Sequence, residues 1–188
     1  MQIRPGASPT ATRSAQASGT RQNRAMLFDD LLEANRRYSA TFPHAGLAAV
    51  AAKGIAVVTC IDSRLEPLQM LGLVPGDAKI LRNAGGRVSQ DVLRSLILAT
   101  NLLEVRGVAI MQHTECAVAS PPGELEARVE AQIGRSLEGW DLRSIGDPDA
   151  DLAADVDAVR GCPLIPDAVT GVGWRYDIRT GVVHEIVP

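Results

Sequence analysis

Two short apolar runs without polar alternation constrain the fold of this 188-residue chain more than any other feature. The runs span residues 55–59 and 108–111, and both contain β-branched side chains. A strand in a parallel sheet that is covered on both faces has a continuous run of apolar residues, whereas a half-exposed strand alternates apolar and polar residues. A third run, residues 78–81, follows the turn residues at 75–77. The three runs predict parallel strands of one sheet.

Metal-binding side chains stand where two of these predicted strands end. Cys60 directly follows the first strand, and His113 stands two residues beyond the second, with Cys116 three residues later. Ligands of open α/β sheets bind at the carboxyl ends of the strands, so we expect these side chains to meet. Two thiols and one imidazole are one ligand fewer than a structural zinc site uses, and an open position is typical of catalytic zinc. The pattern predicts one catalytic Zn²⁺ per chain.

A carboxylate and a permanent cation follow Cys60 within four residues. Asp62 and Arg64 can form an ion pair that orients a metal-bound water. An ordinary surface ion pair, worth less than about 1 kcal/mol, is the alternative interpretation. Residues 83–86, Asn-Ala-Gly-Gly, directly follow the third predicted strand and form either a plain turn or part of the site.

The composition limits the classes of partner. A chain with 46% hydrophobic residues is expected to be one globular domain that buries roughly 70% of its unfolded surface. The net charge of -3 predicts neither nucleic acid nor a membrane as a partner, and the chain lacks an 18-residue apolar run. Three cysteines do not suit a disulfide framework, so a cytoplasmic location is the expectation.

The N-terminal residues differ from the rest of the chain. Residues 1–25 are rich in Ser, Thr, Ala, Gln and Arg and contain no acidic residue, which predicts a disordered tail. A transit peptide is the alternative, but Pro5, Gly6, Pro9 and Gly19 argue against its amphipathic helix. Residues 26–188 are predicted to form a single domain.

Helical and extended patterns alternate along this domain. Ser89, followed by Asp91, is the predicted N-cap of a helix that reaches about residue 104. A helix at 65–71 is predicted to end at Gly72. The other predicted elements are helices at 28–38 (with Leu27 on its apolar stripe), 124–137 and 149–159, and a hairpin formed by residues 171–178 and 182–187. The predicted fold is α/β, a mainly parallel central sheet flanked by helices, with the C-terminal β-hairpin at the sheet edge.

These motifs resemble those of a known enzyme family. The Cys-x-Asp-x-Arg motif at Cys60 and the His-x-x-Cys motif at His113, with residues 82–85 (RNAG) and 95–99 (SLILA) between them, closely resemble the β-class carbonic anhydrases, above all their short bacterial members. The resemblance extends over residues 26–188. It implies reversible hydration of carbon dioxide by a zinc-bound hydroxide, and a homodimer or dimer-based oligomer.

The resemblance also implies roles for single residues. Cys60, His113 and Cys116 match the zinc ligands, and Asp62 and Arg64 match the family's catalytic pair. In some members the matching aspartate becomes a fourth zinc ligand and closes the site.

Two other functions remain open at the level of sequence. Some resembling proteins hydrolyse carbon disulfide or carbonyl sulfide with the same zinc site. The second alternative is a non-catalytic zinc protein whose fourth metal position is filled. It arises because the chain has Glu115 and Ala117 where the family usually reads His-x-Asp-Cys-Gly or His-x-x-Cys-Gly, and a methyl group in place of the glycine would narrow the space at the metal.

Overall fold

The computed structural model describes residues 28–188, which belong to two units. In the first unit, the described residues 28–46 contain helix α1 (Asp30–Ser39), which continues from a π-helical turn at residues 28–29. Acidic side chains in its first turn and basic ones in its last turn suit the helix dipole. None of the residues of α1 is buried. The predicted disordered tail at 1–25 and Leu27 lie outside the described residues.

The second unit, Leu47–Pro188, is built on a five-stranded sheet. The strands are β1 (Ile55–Cys60), β2 (Ala78–Asn83), β3 (Gly107–His113), β4 (Thr170–Tyr176) and β5 (Val183–Val187). Their order across the sheet is β2-β1-β3-β4-β5; the first four are parallel, and β5 runs antiparallel to β4. The predicted parallel sheet with a C-terminal hairpin at its edge is confirmed.

Three strands run further than the sequence predicted: β2 reaches Asn83, and β1 and β3 each reach one of the predicted metal ligands. Cys60 is the last residue of β1, opposite Asn83, and His113 is the last residue of β3, opposite Tyr176. The prediction placed both residues beyond the strands because it ended the apolar runs at Thr59 and Met111. Backbone pairing continues there because it depends on the N–H and C=O groups, whatever the side chains. Both side chains therefore project from strands, which hold them more rigidly than a loop would.

Four helices accompany the sheet in the second unit. They are α2 (Pro67–Met70), α3 (Gln90–Leu102), α4 (Glu124–Ile133) and α5 (Pro148–Arg160). Ser89 caps α3 as predicted, because its side chain accepts a hydrogen bond from the Val92 N–H. The predicted helix 124–137 was too long: Gly134 adopts a left-handed conformation and ends α4 at Ile133.

The two faces of the sheet are covered differently. Helices α3 and α5 pack on one face, where the buried side chains include Leu96, Ile110 and Val156. On the other face, Val57 and Met111 are buried against the short helix α2. Only 3% of the residues are aromatic, so aliphatic contacts form the core. Among the described helices, none combines the length and the apolarity needed to cross a bilayer.

A tight turn after β2 packs directly on the end of β1. The Asn83 side chain closes this turn, donating to the Arg87 carbonyl (2.7 Å) and accepting from the Arg87 N–H (2.9 Å). Arg87 is buried and pairs with the buried Asp155 of α5, with 2.6 Å between Nε and Oδ2. Within the turn, Gly86 approaches the backbone of Thr59 so closely that a Cβ atom would lie 3.0 Å from its carbonyl carbon. The turn is thereby held against the strand that carries Cys60.

Replacement of Gly86 by alanine should destabilise the protein strongly. The new Cβ would meet the β1 backbone, and Gly86 has a φ of +65°. Overpacking and left-handed strain together should lower the free energy of unfolding by about 3 kcal/mol, measured by urea denaturation. Gly72→Ala is the matched control, because Gly72 has a φ of +63° but nothing within 4 Å of an added Cβ. It should cost only about 1 kcal/mol; equal losses would contradict a role for close packing.

Candidate metal centre

Three ligand side chains converge at the carboxyl edge of the sheet. Cys60 ends β1, His113 ends β3, and Cys116 lies in the loop that follows β3. All three residues are buried, and their ligand atoms lie within 4.8 Å of one another. The structure therefore brings together the three residues that the sequence predicted as zinc ligands, at the sheet edge where they were expected.

The geometry of this group fits a zinc ion. The two sulfur atoms, Cys60 Sγ and Cys116 Sγ, are 3.8 Å apart. Two thiolates bound tetrahedrally to one zinc at about 2.3 Å would also lie about 3.8 Å apart. The Nε2 atom of His113 is buried without a hydrogen-bond partner, although buried polar atoms are nearly always paired. A metal ion would satisfy this nitrogen and both sulfurs.

A shared proton couples the two thiols. The two thiols share a hydrogen bond in which either sulfur can donate, and this contact lowers the pKa of Cys60 and raises the pKa of Cys116. Burial acts in the opposite direction on Cys60, but the Gly85 N–H also donates to its sulfur at 3.3 Å. Because the thiolate is the metal-binding form, metal binding would displace the proton that the two sulfurs share.

The imidazole of His113 is oriented by the backbone next to it. Its Nδ1 atom lies 2.8 Å from the Thr114 carbonyl oxygen, so this nitrogen carries the proton in the neutral ring and donates it. The lone pair of Nε2 then faces the two sulfurs. Burial disfavours the charged ring, but the nearby Cys60 sulfur, the Thr114 carbonyl and the Asp62 carboxylate favour it, and together they raise the pKa of His113.

Asp62 and Arg64 form a bidentate ion pair beside the three ligands. Arg64 Nε donates to Asp62 Oδ1 (2.9 Å), and Arg64 Nη2 donates to Asp62 Oδ2 (2.7 Å). These hydrogen bonds, together with one from the Arg64 backbone N–H (2.9 Å), hold the pKa of Asp62 well below its usual range. Asp62 Oδ2 lies 3.8 Å from His113 Nε2 and so faces the metal-ligand group. The described geometry is that of the paired carboxylate.

Other groups that position the site had no role assigned from the sequence. Arg82 donates to the carbonyl oxygens of Cys60 (2.9 Å) and Asp62 (2.7 Å), and so fixes the chain between a ligand and the ion pair. The carbonyl of Glu115 accepts from Arg64 Nη2 at 3.2 Å. Arg82 belongs to the RNAG motif, which was a usable signal, whereas backbone carbonyls leave no signal in a sequence. The Gly85 N–H donates to the Cys60 sulfur, so residues 83–86 (Asn-Ala-Gly-Gly) form part of the site and are not a plain turn.

The side chain of Ala117 does not enter this buried group. Ala117 is exposed, and its φ is not positive, so the position does not require glycine. Instead, Glu115 has the left-handed conformation, with a φ of +55°. The predicted narrowing of the metal pocket by Ala117 therefore finds no support in its position.

Apolar side chains surround the sulfur ligands. Cys60 and Cys116 belong to a buried cluster with Leu65 and Ile145. Other apolar side chains pack against this cluster and are partly buried: Met70, Val118, Tyr176 and Ile178. Such surroundings exclude water from the ligands and strengthen the electrostatic interactions among them.

Comparisons with known proteins agree with this geometry. The family model described as carbonic anhydrase matches residues 55–138. Beta-carbonic anhydrase 1 of Mycobacterium tuberculosis is 30% identical over 161 residues, which cover 85% of this chain and 98% of that protein. A carbon disulfide hydrolase of Acidianus is 32% identical over 148 residues, covering 66% and 72% of the respective chains.

A solved structure gives the same result for the fold. The carbonic anhydrase of Streptococcus mutans superimposes with a TM-score of 0.79 at 34% sequence identity, covering 85% of this chain and 96% of that one. The shared fold, together with the match over nearly the whole length of the mycobacterial protein, shows to which family this chain belongs. The chain belongs to the β-carbonic anhydrases, a family of enzymes.

Proposed function

We propose that this enzyme is a zinc-dependent lyase that interconverts carbon dioxide and water with bicarbonate and a proton. The observation that carries the proposal is the position of the Asp62–Arg64 ion pair, directly beside three buried metal ligands. A structural zinc site would use four protein ligands and would not need an oriented carboxylate at its side.

Cys60, His113 and Cys116 would hold the zinc. When bound, the zinc supplies a water whose pKa is lowered to about 7, so that hydroxide is available at neutral pH. Asp62 Oδ2, the carboxylate oxygen on the ligand side, would accept a hydrogen bond from that hydroxide and so orient it toward the substrate. Arg64 keeps Asp62 ionised and in place.

The reaction needs little else from the protein. The chemistry that the zinc would supply is attack of hydroxide on the carbon of carbon dioxide, in which a C–O bond would form as one C=O π bond opens, giving bicarbonate. The proton lost by the attacking water leaves to solvent. Carbon dioxide is weakly polar and takes no strong hydrogen bonds, so the apolar side chains around the sulfurs, including Leu65 and Ile145, suit it.

Hydrolysis of carbon disulfide is the second candidate, because the Acidianus relative carries that activity in its name. The match to the mycobacterial anhydrase spans nearly all of that protein and supports carbon dioxide as the first candidate. Stopped-flow hydration of carbon dioxide and release of sulfide from carbon disulfide, measured on one zinc-loaded preparation, decide between them. Sulfide release without hydration would contradict the proposal.

Self-association and a cytoplasmic location belong to the same proposal. Helix α1 exposes about half or more of Leu31, Leu32 and Tyr38, which is costly for a stable helix in water. A second copy of the chain is the partner expected to cover this surface, in a homodimer or a dimer-based oligomer. The three free cysteines suit a reducing compartment.

The metal assignment predicts the behaviour of cysteine variants. Cys60→Ser should lose most of the zinc, because a hydroxyl is a poor substitute for a thiolate ligand. Elemental analysis after dialysis should find one zinc per chain in the wild type and much less in the variant. Cys162→Ser is the control, since Cys162 is a free thiol outside the ligand group. Full zinc in Cys60→Ser would refute the assignment.

The ion pair predicts a loss of turnover without a loss of metal. Arg64→Ala should reduce hydration by about 100-fold or more while keeping its zinc, because the released Asp62 carboxylate then binds the metal as a fourth ligand. Asp62→Asn should also lose most activity, since an amide holds the hydroxide in the wrong orientation.

The control for these variants is Arg94→Ala, which removes an exposed ion pair with Asp91 on α3. Its turnover should stay at the wild-type level. Stopped-flow rates and zinc content are measured together for all variants. Near wild-type turnover in Arg64→Ala would show that the ion pair has no part in the reaction.

Self-association predicts different effects for two N-terminal deletions. Removal of residues 1–25 should leave the oligomer intact, whereas removal through Phe42 also deletes α1 and should break assembly. Size-exclusion chromatography with light scattering measures the mass of each species. An active monomer of the full-length chain would contradict the prediction.

A further inference from the structure

We propose that Arg179, at the turn of the C-terminal hairpin, is a positioning residue for the Asp62–Arg64 pair and acts through Glu115. The inference rests on the function proposed above. It concerns a residue that lies in the last strand connection of the chain, between β4 and β5. Arg179 touches neither the metal ligands nor Asp62, so it can affect the ion pair only through an intervening residue.

The first step is the position of the Arg64 guanidinium. Arg64 Nη2 donates to two acceptors, Asp62 Oδ2 at 2.7 Å and the Glu115 carbonyl at 3.2 Å. The Arg64 side chain is 48% exposed, so water competes for its donors. The Glu115 carbonyl is a second acceptor for this donor and so helps to hold the guanidinium in place. A shift of this carbonyl would loosen the bidentate pair.

The second step is the backbone conformation that directs this carbonyl. Glu115 has a φ of +55°, a left-handed conformation that residues with a side chain adopt rarely. Such a conformation persists only where surrounding contacts hold it. The neighbouring Thr114 is tied to β4 and the residues after it: its N–H donates to the Tyr176 carbonyl (3.0 Å), and its Oγ1 accepts from the Ile178 N–H (3.0 Å).

The third step is the contact at Glu115 itself. Arg179 Nε donates to Glu115 Oε1 in an ion pair, so the side chain of the strained residue is anchored to the hairpin turn. The turn provides a defined anchor, because Asp177 Oδ1 accepts from the N–H groups of Arg179 (2.8 Å) and Thr180 (3.2 Å). Glu115 stands where the motif that this chain resembles usually has aspartate, and its carboxylate is the group that contacts Arg179.

The effect of Arg179 should be modest. Its side chain is 79% exposed and that of Glu115 is 45% exposed, so the ion pair is screened by water. An exposed pair of this kind corresponds to about a two- to fivefold change in an equilibrium. The change should appear in the fraction of molecules in which Asp62 is held away from the metal. The free energy of unfolding should change much less.

The experiment compares Arg179→Ala, Arg179→Lys, Glu115→Gln and the double variant Arg179→Ala/Glu115→Gln. The matched control is Arg94→Ala, whose ion pair with Asp91 is similarly exposed, at 67% and 77%. The probe is azide binding to the cobalt-loaded protein, followed by visible absorption, because azide competes with Asp62 for the open metal position. The kcat and KM for carbon dioxide are measured on the zinc-loaded proteins.

Arg179→Ala should weaken azide binding about two- to fivefold and lower kcat by a similar factor, with unchanged metal content and urea midpoint. Arg179→Lys should restore most of both. Glu115→Gln should match Arg179→Ala, and the double variant should be no worse than either single variant, because both remove one contact.

Azide affinity and kcat of Arg179→Ala equal to those of Arg94→Ala would overturn the inference, and so would losses that simply add in the double variant. The proposed function fails separately, if the wild type binds cobalt and azide but does not hydrate carbon dioxide. In that case the azide titrations still decide the positioning role.

Discussion

The position of β1 between β2 and β3 is the constraint on which the rest of this structure depends. The turn after β2 and the end of β3 both lie at the carboxyl end of β1, so Cys60 contacts groups from both neighbouring strands. The turn after β2 contributes the Gly85 N–H to the Cys60 sulfur, and β3 contributes His113. Gly86 lets the turn approach, because its Cβ-free backbone packs on β1. Ligands that project from adjacent strands are held as rigidly as the sheet itself.

In the proposed function, charge balance accounts for an ion pair beside the metal ligands. Two thiolates cancel the charge of a zinc ion, which makes it a weaker Lewis acid than a zinc with three neutral imidazoles. An oriented carboxylate can offset this loss, provided that it stays off the metal. Arg64 holds Asp62 through both carboxylate oxygens, and Arg82 holds the backbone of both Cys60 and Asp62. The two arginines thus hold the Asp62 carboxylate close to the metal ligands, and the carboxylate itself is not one of those ligands.

Much of this could be predicted from the sequence, because the signals were local. Apolar runs marked the buried strands, Ser89 marked the start of α3, and the ligand types at Cys60, His113 and Cys116 marked a metal site. Strand ends were predicted too early, since ladder hydrogen bonds form irrespective of side-chain polarity. The end of α4 was predicted too late, because the stripe of apolar residues continued past Gly134.

The sequence by itself determined the residue types of the site, their order and the parallel sheet whose edge brings them together. Only the tertiary structure decided how the ion pair is held. The contacts of Arg64 with the Glu115 carbonyl, and of Glu115 with Arg179, join segments more than 50 residues apart. The first of these contacts uses a backbone carbonyl, which every residue carries whatever its side chain, and both involve a residue with a left-handed φ. Such groups take their direction from the folded backbone, which no local pattern encodes.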